Sequence, residues 1–341
     1  MESIVARFAG TIQRTGEIAA VEYSLPAHAS EEVRAFFAAR AVAGACGRFV
    51  AELPGGRVYG AGAILSPDGR IVARDVSPDF GRSEDDHWLR TYDYMRSPAF
   101  QAGRTGVIAV TLGNGYSHWL LEELPRLLAV RATPLDAVIA NVGLPMARDA
   151  IARAGFRGEI IPAKRDRHWQ CERLIVPSFP AQPNLPTRES VGTVREFTEA
   201  SMAGSTGCGA KLYVSRAKAR RRRVVNEAEL ERTLGALGFE TVFLEEMPWT
   251  EQIRRFSAAR EIVAAHGAGL ANLVFCEKGT RVVELFNRDY VNPCFWRVAA
   301  LRELDYRPLM ERGEGPLDEI PAANRRDVFA DIELVTRALR D

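Results

Sequence analysis

Short apolar runs alternate with stretches of helical period along most of this chain, and Gly- or Pro-containing segments punctuate them. Residues 57–76 predict two strands joined by a Ser66-Pro67-Asp68-Gly69 turn, because Pro-Asp-Gly supplies the φ values a tight turn needs. A buried strand is predicted over 106–112. A helix follows over 116–130, where Trp119, Leu120, Leu124, Leu127 and Leu128 recur at helical spacing. Strand 137–140, helix 145–154, strands 158–161 and 173–176, and helix 188–201 continue the alternation. After a Gly/Ser stretch at 203–207 a fresh series opens: strand 211–215, helix 226–237, strand 240–244, helix 249–258, strand 261–265, helix 269–276 and strand 281–286. Asn226, with Glu229 three residues on, predicts a capping box for the helix at 226. Residues 327–339 predict an amphipathic terminal helix.

Strands alternating with helices imply parallel sheets covered on both faces. Two such series imply an α/β protein of two Rossmann-like domains facing a cleft. The expected division is an N-terminal domain over 1–204, with the hairpin at about 57–76 as an extension, and a second domain over 205–315. The helix in 316–341 is expected to pack back on the N-terminal domain. Composition leaves this picture intact: 47% apolar and 26% charged residues are ordinary for a globular chain. With 45 Lys+Arg against 44 Asp+Glu, a formal charge of +1 provides no global field toward nucleic acid or anionic lipid. The five cysteines are scattered and form no C-x-x-C pair, which fits a reducing compartment. Charged residues interrupt every apolar run near the N-terminus, so neither a signal peptide nor a membrane span is expected. The expected location is cytoplasmic, with any membrane contact peripheral and at the inner face.

The densest candidate chemistry lies at 262–272, where an apolar run leads into His266-Gly267-Ala268-Gly269 and then a helix closing its first turn with Asn272. A Gly-x-Gly turn lets backbone approach a ligand, and the following helix points free N–H groups and its positive dipole end at an anion. The next strand carries Glu284, an acid suited to ribose hydroxyls. His266 reads equally as a ligand-site group and as a core histidine. A second strand delivers Ser215 and Arg216 at its C-terminal end, followed by the arginine run 220–223. Guanidinium groups bind phosphate oxygens in pairs, so Arg216, Arg222 and Arg223 suit a diphosphate, while Arg220 and Arg221 read as solvated charge.

A third cluster, Asn114-Gly115-Tyr116-Ser117-His118-Trp119, opens the helix at 116. His118 and Glu122 share one helix face and Trp119 and Glu123 the adjacent one. A carboxylate beside an imidazole raises its basicity, which suits proton removal from a hydroxyl. Pairing of Glu122 with Arg126 is the structural alternative. No G-x-S-x-G, P-loop, H-E-x-x-H or D-x-D signature occurs, and Asp85-Asp86-His87 reads as a solvated loop cluster rather than a metal site.

Read in order, these blocks resemble glycosyltransferase family 61, on the side of its bacterial capsule-type members. The resemblance rests on Asn114, Tyr116, His118, Trp119, Leu120, Glu123, Leu124, Pro125 and Arg126; on Tyr213, Ser215, Arg216, Arg222, Arg223, Asn226 and Glu227; on Glu251, Gln252 and Ile253; and on His266 through Leu270, Asn272, Glu284 and Leu285. Glu122 stands where the family usually has Asp. The resemblance implies a GT-B fold and inverting transfer of a sugar from a nucleotide-diphosphate donor, UDP-linked by expectation. The acceptor is then a hydroxyl of a polysaccharide, glycolipid or protein. It implies donor binding by Ser215, Arg216, Arg222, Arg223, His266, Gly267, Ala268, Gly269, Asn272 and Glu284. Catalysis falls to His118 with Glu122 and Glu123, and the acceptor side to Asn114, Tyr116 and Trp119. No metal and no cofactor are expected, and nucleic acid is not an expected partner.

Two rivals remain at this level. A nicotinamide-dependent oxidoreductase would use Gly267-Ala268-Gly269 with Glu284, although Glu284 follows Gly269 by 15 residues where about 20 is usual. A non-enzymatic polyanion or nucleic-acid binder would use the arginine run, which lacks interleaved aromatics.

Overall fold

The computed structural model describes residues 5–73, 75–77, 89, 96–111, 113–180, 185–202, 209–313, 317–318, 323 and 325–340. Contacts divide the chain into two units, Met1–Ala20 with Gly44–Val194, and Val21–Ala43 with Arg195–Asp341. The expected boundary at 204/205 lies outside the described residues, as does Asp85-Asp86-His87. The division itself falls at Val194/Arg195.

In chain order, β1 (Thr11–Ile18) gives way to an excursion through β2 (Val21–Glu22), α1 (Glu31–Ala38) and β3 (Val42–Ala43). Then come β4 (Cys46–Pro54), β5 (Arg57–Tyr59), β6 (Ala63–Leu65) and β7 (Ala99–Val107). Next are α2 (Tyr116–His118), a π-helical turn Trp119–Glu123 and α3 (Leu124–Ala129). The series continues with β8 (Ala137–Ala140), α4 (Ala147–Arg153), β9 (Glu159–Pro162), β10 (His168–Pro177) and α5 (Arg188–Met202). The first unit's sheet runs β1-β4-β10-β7-β8-β9, with β5 and β6 attached beside β10. Strands β10, β7, β8 and β9 are mutually parallel, while β4 and β1 join antiparallel. Leu53, Val107, Ile139, Leu174 and Val176 form its core.

The hairpin differs from expectation. Its strands are β5 and β6, joined through Gly60 and Gly62, both at positive φ. The Ser66–Gly69 turn forms, with Gly69 N–H donating to Ser66 O at 2.8 Å, but it leads only to a single bridge between Leu65 and Val72. The strand expected over 106–112 ends at Val107, because Ile108 and Ala109 both turn their N–H groups onto the Ile139 carbonyl. The helix over 116–130 forms with a wide turn in it. Pro125 has no N–H to continue the i→i−4 ladder, and Leu124 N–H bonds Trp119 O instead.

The second unit holds β11 (Ala210–Val214), α6 (Glu227–Ala236), β12 (Glu240–Val242), α7 (Trp249–Ala258) and β13 (Ala259–Ala265). A 3-10 helix Ala268–Phe275, β14 (Arg281–Phe286), α8 (Cys294–Leu301), β15 (Asp305–Met310) and α9 (Ile332–Arg340) follow. Its five strands are parallel in the order β12-β11-β13-β14-β15. That is a doubly wound sheet whose strand order reverses between β11 and β13, the place where such sheets bind ligands. Both units are mixed α/β.

Two expectations about this unit are corrected. The segment after β13 is 3-10 rather than α-helical. Asn226 does not cap α6 with its side chain; its amide pairs with both backbone groups of Ala330, so the chain end is fastened beside β11 in place of a capping box. The terminal helix α9 packs on β14 and β15, where Val335 joins the core that holds Val283 and Leu285. The excursion 21–43 also belongs here. Phe37 of α1 stacks on Trp296 (4.8 Å, 19°) and meets Tyr306 edge-on, and Trp296 Nε1–H donates to Ser24 O at 2.9 Å.

Candidate functional site

At the reversal point of the second sheet, β11 is followed by Ser215-Arg216 and β13 by His266-Gly267. Ser215 is buried and donates its hydroxyl to Glu227 Oε1 (2.6 Å), which also accepts from Tyr213 OH (2.9 Å) and Arg216 N–H (3.2 Å). Glu227, at the first position of α6, thus fixes the turn after β11. Arg216 then extends across Gly267. Its Nε–H donates to Arg222 O (2.9 Å) and Nη2 to Arg221 O (2.8 Å), while a Cβ built on Gly267 would lie 2.0 Å from Nη1. Gly267 has extended φ of −178°, so it is needed for the close approach and not for its backbone angle.

Arg216 is half-buried, and among the described residues no carboxylate lies within ion-pair distance of it. Burial, with the like charge of Arg222 beside it, pulls its guanidinium down to about 10. A cation in that condition favours an anionic ligand. The 3-10 helix begins at the same point, and its first N–H groups, of Ala268 and Gly269, have no intrahelical acceptor. Arg222 holds φ of +54° and sets its guanidinium 5.6 Å from the Tyr290 ring centroid. With Tyr290, Asn287, Arg326 and His266 it lines a recess beside β13 and β14.

His266 and Glu284 are both buried. The imidazole Nδ1 lies 2.5 Å from Glu284 Oε1, and Glu284 Oε2 accepts from Tyr306 OH at 2.6 Å. The ring sits among Phe286 (5.2 Å, 25°), Tyr290 and Phe295. Desolvation holds His266 below the usual imidazole range, against the pull of Glu284. Both Glu284 oxygens are committed to His266 and Tyr306 with no exposed surface, an arrangement that leaves neither facing a ribose hydroxyl. The same observation removes the acid that a nicotinamide reading requires. Asn272 is also fully buried and donates to Gln252 Oε1, while Gln252 Nε2 donates to Leu244 O and Met247 O and so anchors the 244–247 turn. Arg223 pairs with Asp327 through its backbone N–H (2.9 Å) and its guanidinium (3.3 Å), so it fastens the terminal segment rather than joining Arg216.

In the first unit, His118 Nδ1 lies 3.1 Å from Glu122 Oε1, bringing that pair together at the start of the helix. Glu123 and Trp119 face inward instead. Glu123 is fully buried and accepts from Val110 N–H (3.0 Å), Asn141 N–H (3.2 Å) and the Asn141 side-chain amide. It clamps the segments after β7 and β8, and a Cβ on Gly113 would collide with it. Burial pushes the Glu123 carboxyl up to about 8. Trp119 Nε1–H donates to Asn141 O (3.1 Å), and Arg126 spends its guanidinium on the carbonyls of Ile108, Ala109 and Pro177. Arg126 is thus a structural clamp and forms no ion pair with Glu122. Of the acceptor-side residues, Asn114 is exposed and Tyr116 half-buried, whereas Trp119 is core.

The sequence reading did not single out Tyr306, Tyr290, Glu227 as an anchor, or Asn141. The position of Asn141 directly after strand 137–140 was the available signal for the last. Among the described residues, no group of three or more His, Cys, Asp or Glu side chains is placed to hold a metal ion, and no helix is long and apolar enough to cross a membrane.

Residues 116–283 match the sequence model of the family Glycosyltransferase 61. The chain is 30% identical over 276 residues to protein O-linked-mannose beta-1,4-N-acetylglucosaminyltransferase 2 of Canis lupus familiaris, covering 77% of this chain and 45% of that protein. To the EGF domain-specific O-linked N-acetylglucosamine transferase of Drosophila melanogaster it is 33% identical over 103 residues, covering 29% of this chain and 19% of that one. The chain thus spans less than half the length of these relatives. The match runs from the His118–Glu122 pair through the Arg216–Gly267 contact to β14, and on that basis the chain carries a glycosyltransferase family 61 domain.

Proposed function

We propose that the chain is an inverting glycosyltransferase of GT-B type that moves a sugar from a nucleoside-diphosphate donor to a hydroxyl acceptor. The observation that carries the reading is the Arg216 guanidinium lying on Gly267 at the reversal point of a parallel sheet, short of a carboxylate partner and beside the start of a helix. Diphosphate is the ligand chemistry that satisfies all three features at once. Both relatives carry N-acetylglucosamine in their names, so UDP-N-acetylglucosamine is the first donor to test. A saccharide, lipid-linked or protein hydroxyl is the acceptor.

In this reading the acceptor oxygen attacks the anomeric carbon as the bond to the diphosphate oxygen breaks from the opposite side. The acceptor proton goes to His118, whose tautomer Glu122 sets by accepting from Nδ1–H. Negative charge builds on the departing diphosphate and is met by Arg216, Arg222 and the amides of Ala268 and Gly269. Guanidinium groups and amides supply the positive charge, so transfer proceeds in the presence of a chelator. Ser215, Glu123, Asn272 and Glu284 act by holding the groups that touch substrate.

Isothermal calorimetry with UDP and UDP-N-acetylglucosamine tests the donor site. Arg216→Ala is expected to weaken binding by about 10–100-fold, the loss of a charge-assisted contact. Unchanged affinity in a folded Arg216→Ala protein contradicts the assignment.

A further inference from the structure

One arrangement in the second unit goes beyond charge neutralisation. Tyr306 OH donates to Glu284 Oε2 at 2.6 Å, and Glu284 Oε1 meets His266 Nδ1 at 2.5 Å, all three side chains being buried. A phenol has one proton to give, and burial beside a carboxylate keeps Tyr306 protonated. A carboxylate oxygen accepts and an N–H donates, which puts the proton of the short contact on Nδ1. The other nitrogen, Nε2, then carries a lone pair. Among the described residues it takes no hydrogen bond, although His266 is 6% exposed and lines the recess with Arg222, Asn287, Tyr290 and Arg326. Through the recess that His266 lines, Nε2 presents this lone pair where a donor from a ligand can meet it.

We propose that Tyr306 and Glu284 are positioning residues that hold His266 as the Nδ1–H tautomer, making its Nε2 a hydrogen-bond acceptor that selects a hydroxyl of the bound nucleotide sugar. This rests on the donor-site reading above. A phosphate oxygen has no proton to donate to Nε2, so His266 discriminates among hydroxyls and leaves the diphosphate to the arginines. The charged and titratable groups around the ring agree in keeping it neutral. Arg222 and Arg216 oppose a second proton from the side of the loop after β11, Tyr290 and Phe286 are uncharged, and Glu284 alone favours the imidazolium. Phe37, set edge-on to Tyr306, backs the relay from the excursion 21–43.

The hydroxyl has two sources, the nucleoside ribose and the transferred sugar. The first experiment needs neither. The chain has five histidines, so 15N imidazole spectra of the ligand-free protein, with His266→Gln for assignment, report the tautomer directly. The expected result is a neutral Nδ1–H form of His266 from pH 6 to 8. In Tyr306→Phe, where Glu284 loses its second donor and attracts the imidazolium more strongly, the titration midpoint should rise by about one pH unit. An Nε2–H form or an imidazolium at pH 7 in the wild type overturns the relay, and that spectrum decides the matter even if the Phe variant does not fold. The second experiment compares UDP with its 2′-deoxy and 3′-deoxy analogues and with UDP-N-acetylglucosamine. A loss of about tenfold on removing one ribose hydroxyl assigns the ribose, and an equal gain on adding the sugar, with no ribose effect, assigns the sugar. Equal affinity throughout overturns hydroxyl selection. If UDP does not bind at all, the nucleotide reading fails and hydroxyl selection with it, while the imidazole spectrum still stands or falls alone.

Discussion

Gly267→Ala isolates the contact on which donor binding is proposed to depend. The backbone tolerates alanine there, since φ is extended, so the substitution acts only through its methyl group. That methyl would lie 2.0 Å from Arg216 Nη1 and 2.8 Å from Cζ, and the guanidinium must move by an ångström or more. Moving it breaks the bonds from Nε to Arg222 O and from Nη2 to Arg221 O. At about 1 kcal/mol net for each hydrogen bond, the expected stability loss is about 1–2 kcal/mol. Binding should suffer more. A misplaced guanidinium forfeits a charge-assisted contact of about 1.5–3 kcal/mol, or about 10–150-fold in Kd for UDP. Gly235→Ala, in α6 with nothing within 4 Å of its added methyl, is the control and should bind UDP as the wild type does. Calorimetry at a temperature where urea melts show every variant folded reads the effect. If Gly267→Ala binds UDP with wild-type affinity, Arg216 does not contact the diphosphate from the position seen here and the reasoning fails.

His118→Ala should lower kcat by about 100-fold or more while leaving donor Kd within a factor of two, because its task is proton removal and not donor retention; a large change in donor Kd would move His118 out of that role. Glu123→Gln tests the clamp through pH. Its carboxyl is pushed up to about 8 in the folded protein against an ordinary 4.5, so the folded state keeps a proton that the unfolded chain releases. That contribution to stability is present below about pH 4.5, falls by about 1.4 kcal/mol per unit as pH rises toward 8, and levels above it. The Gln variant should lack this slope in urea melts from pH 5 to 9, and parallel profiles would show Glu123 ionised throughout. Phe37→Ala removes a ring stacked on Trp296 and should cost about 3–5 kcal/mol; a loss under about 1 kcal/mol would mean the excursion 21–43 is not part of the second unit's core.

Much of this was legible in the residues. The parallel alternation, most of the strands between 137 and 286, and the pairing of His118 with Glu122 follow from period and spacing. So does the placing of Arg216 and Gly267 at strand ends, because strand-turn-helix patterns are local. What depends on distant partners was hidden. The excursion 21–43 joins the second unit through Phe37 and Tyr23, each more than 250 residues in sequence from its partner Trp296. Strand β15, with Asp305 and Arg307 among its residues and Pro308 inside it, lacks an apolar run, so Tyr306 went unnoticed. Polar motif residues also divided in a way that spacing does not reveal. Among the described residues, Arg216 lies against Gly267 with only backbone carbonyls as partners and no carboxylate, whereas Glu123, Asn272, Arg223 and Glu284 carry equally suggestive chemistry and spend it on side chains and amides of the protein itself. Only burial and the identity of each hydrogen-bond partner separate the two kinds.

The most direct test of the central claim is thermal stabilisation of the wild-type chain by a panel of nucleotides and nucleotide sugars, each with and without a chelator. A ligand that binds only the folded state at about 100 times its Kd adds about 2.7 kcal/mol. The account predicts a rise in melting temperature with nucleoside diphosphates and their sugars that persists in chelator, is small with the nucleoside alone, and is lost in Arg216→Ala. Stabilisation by NAD instead, or none by any nucleoside diphosphate, would contradict it.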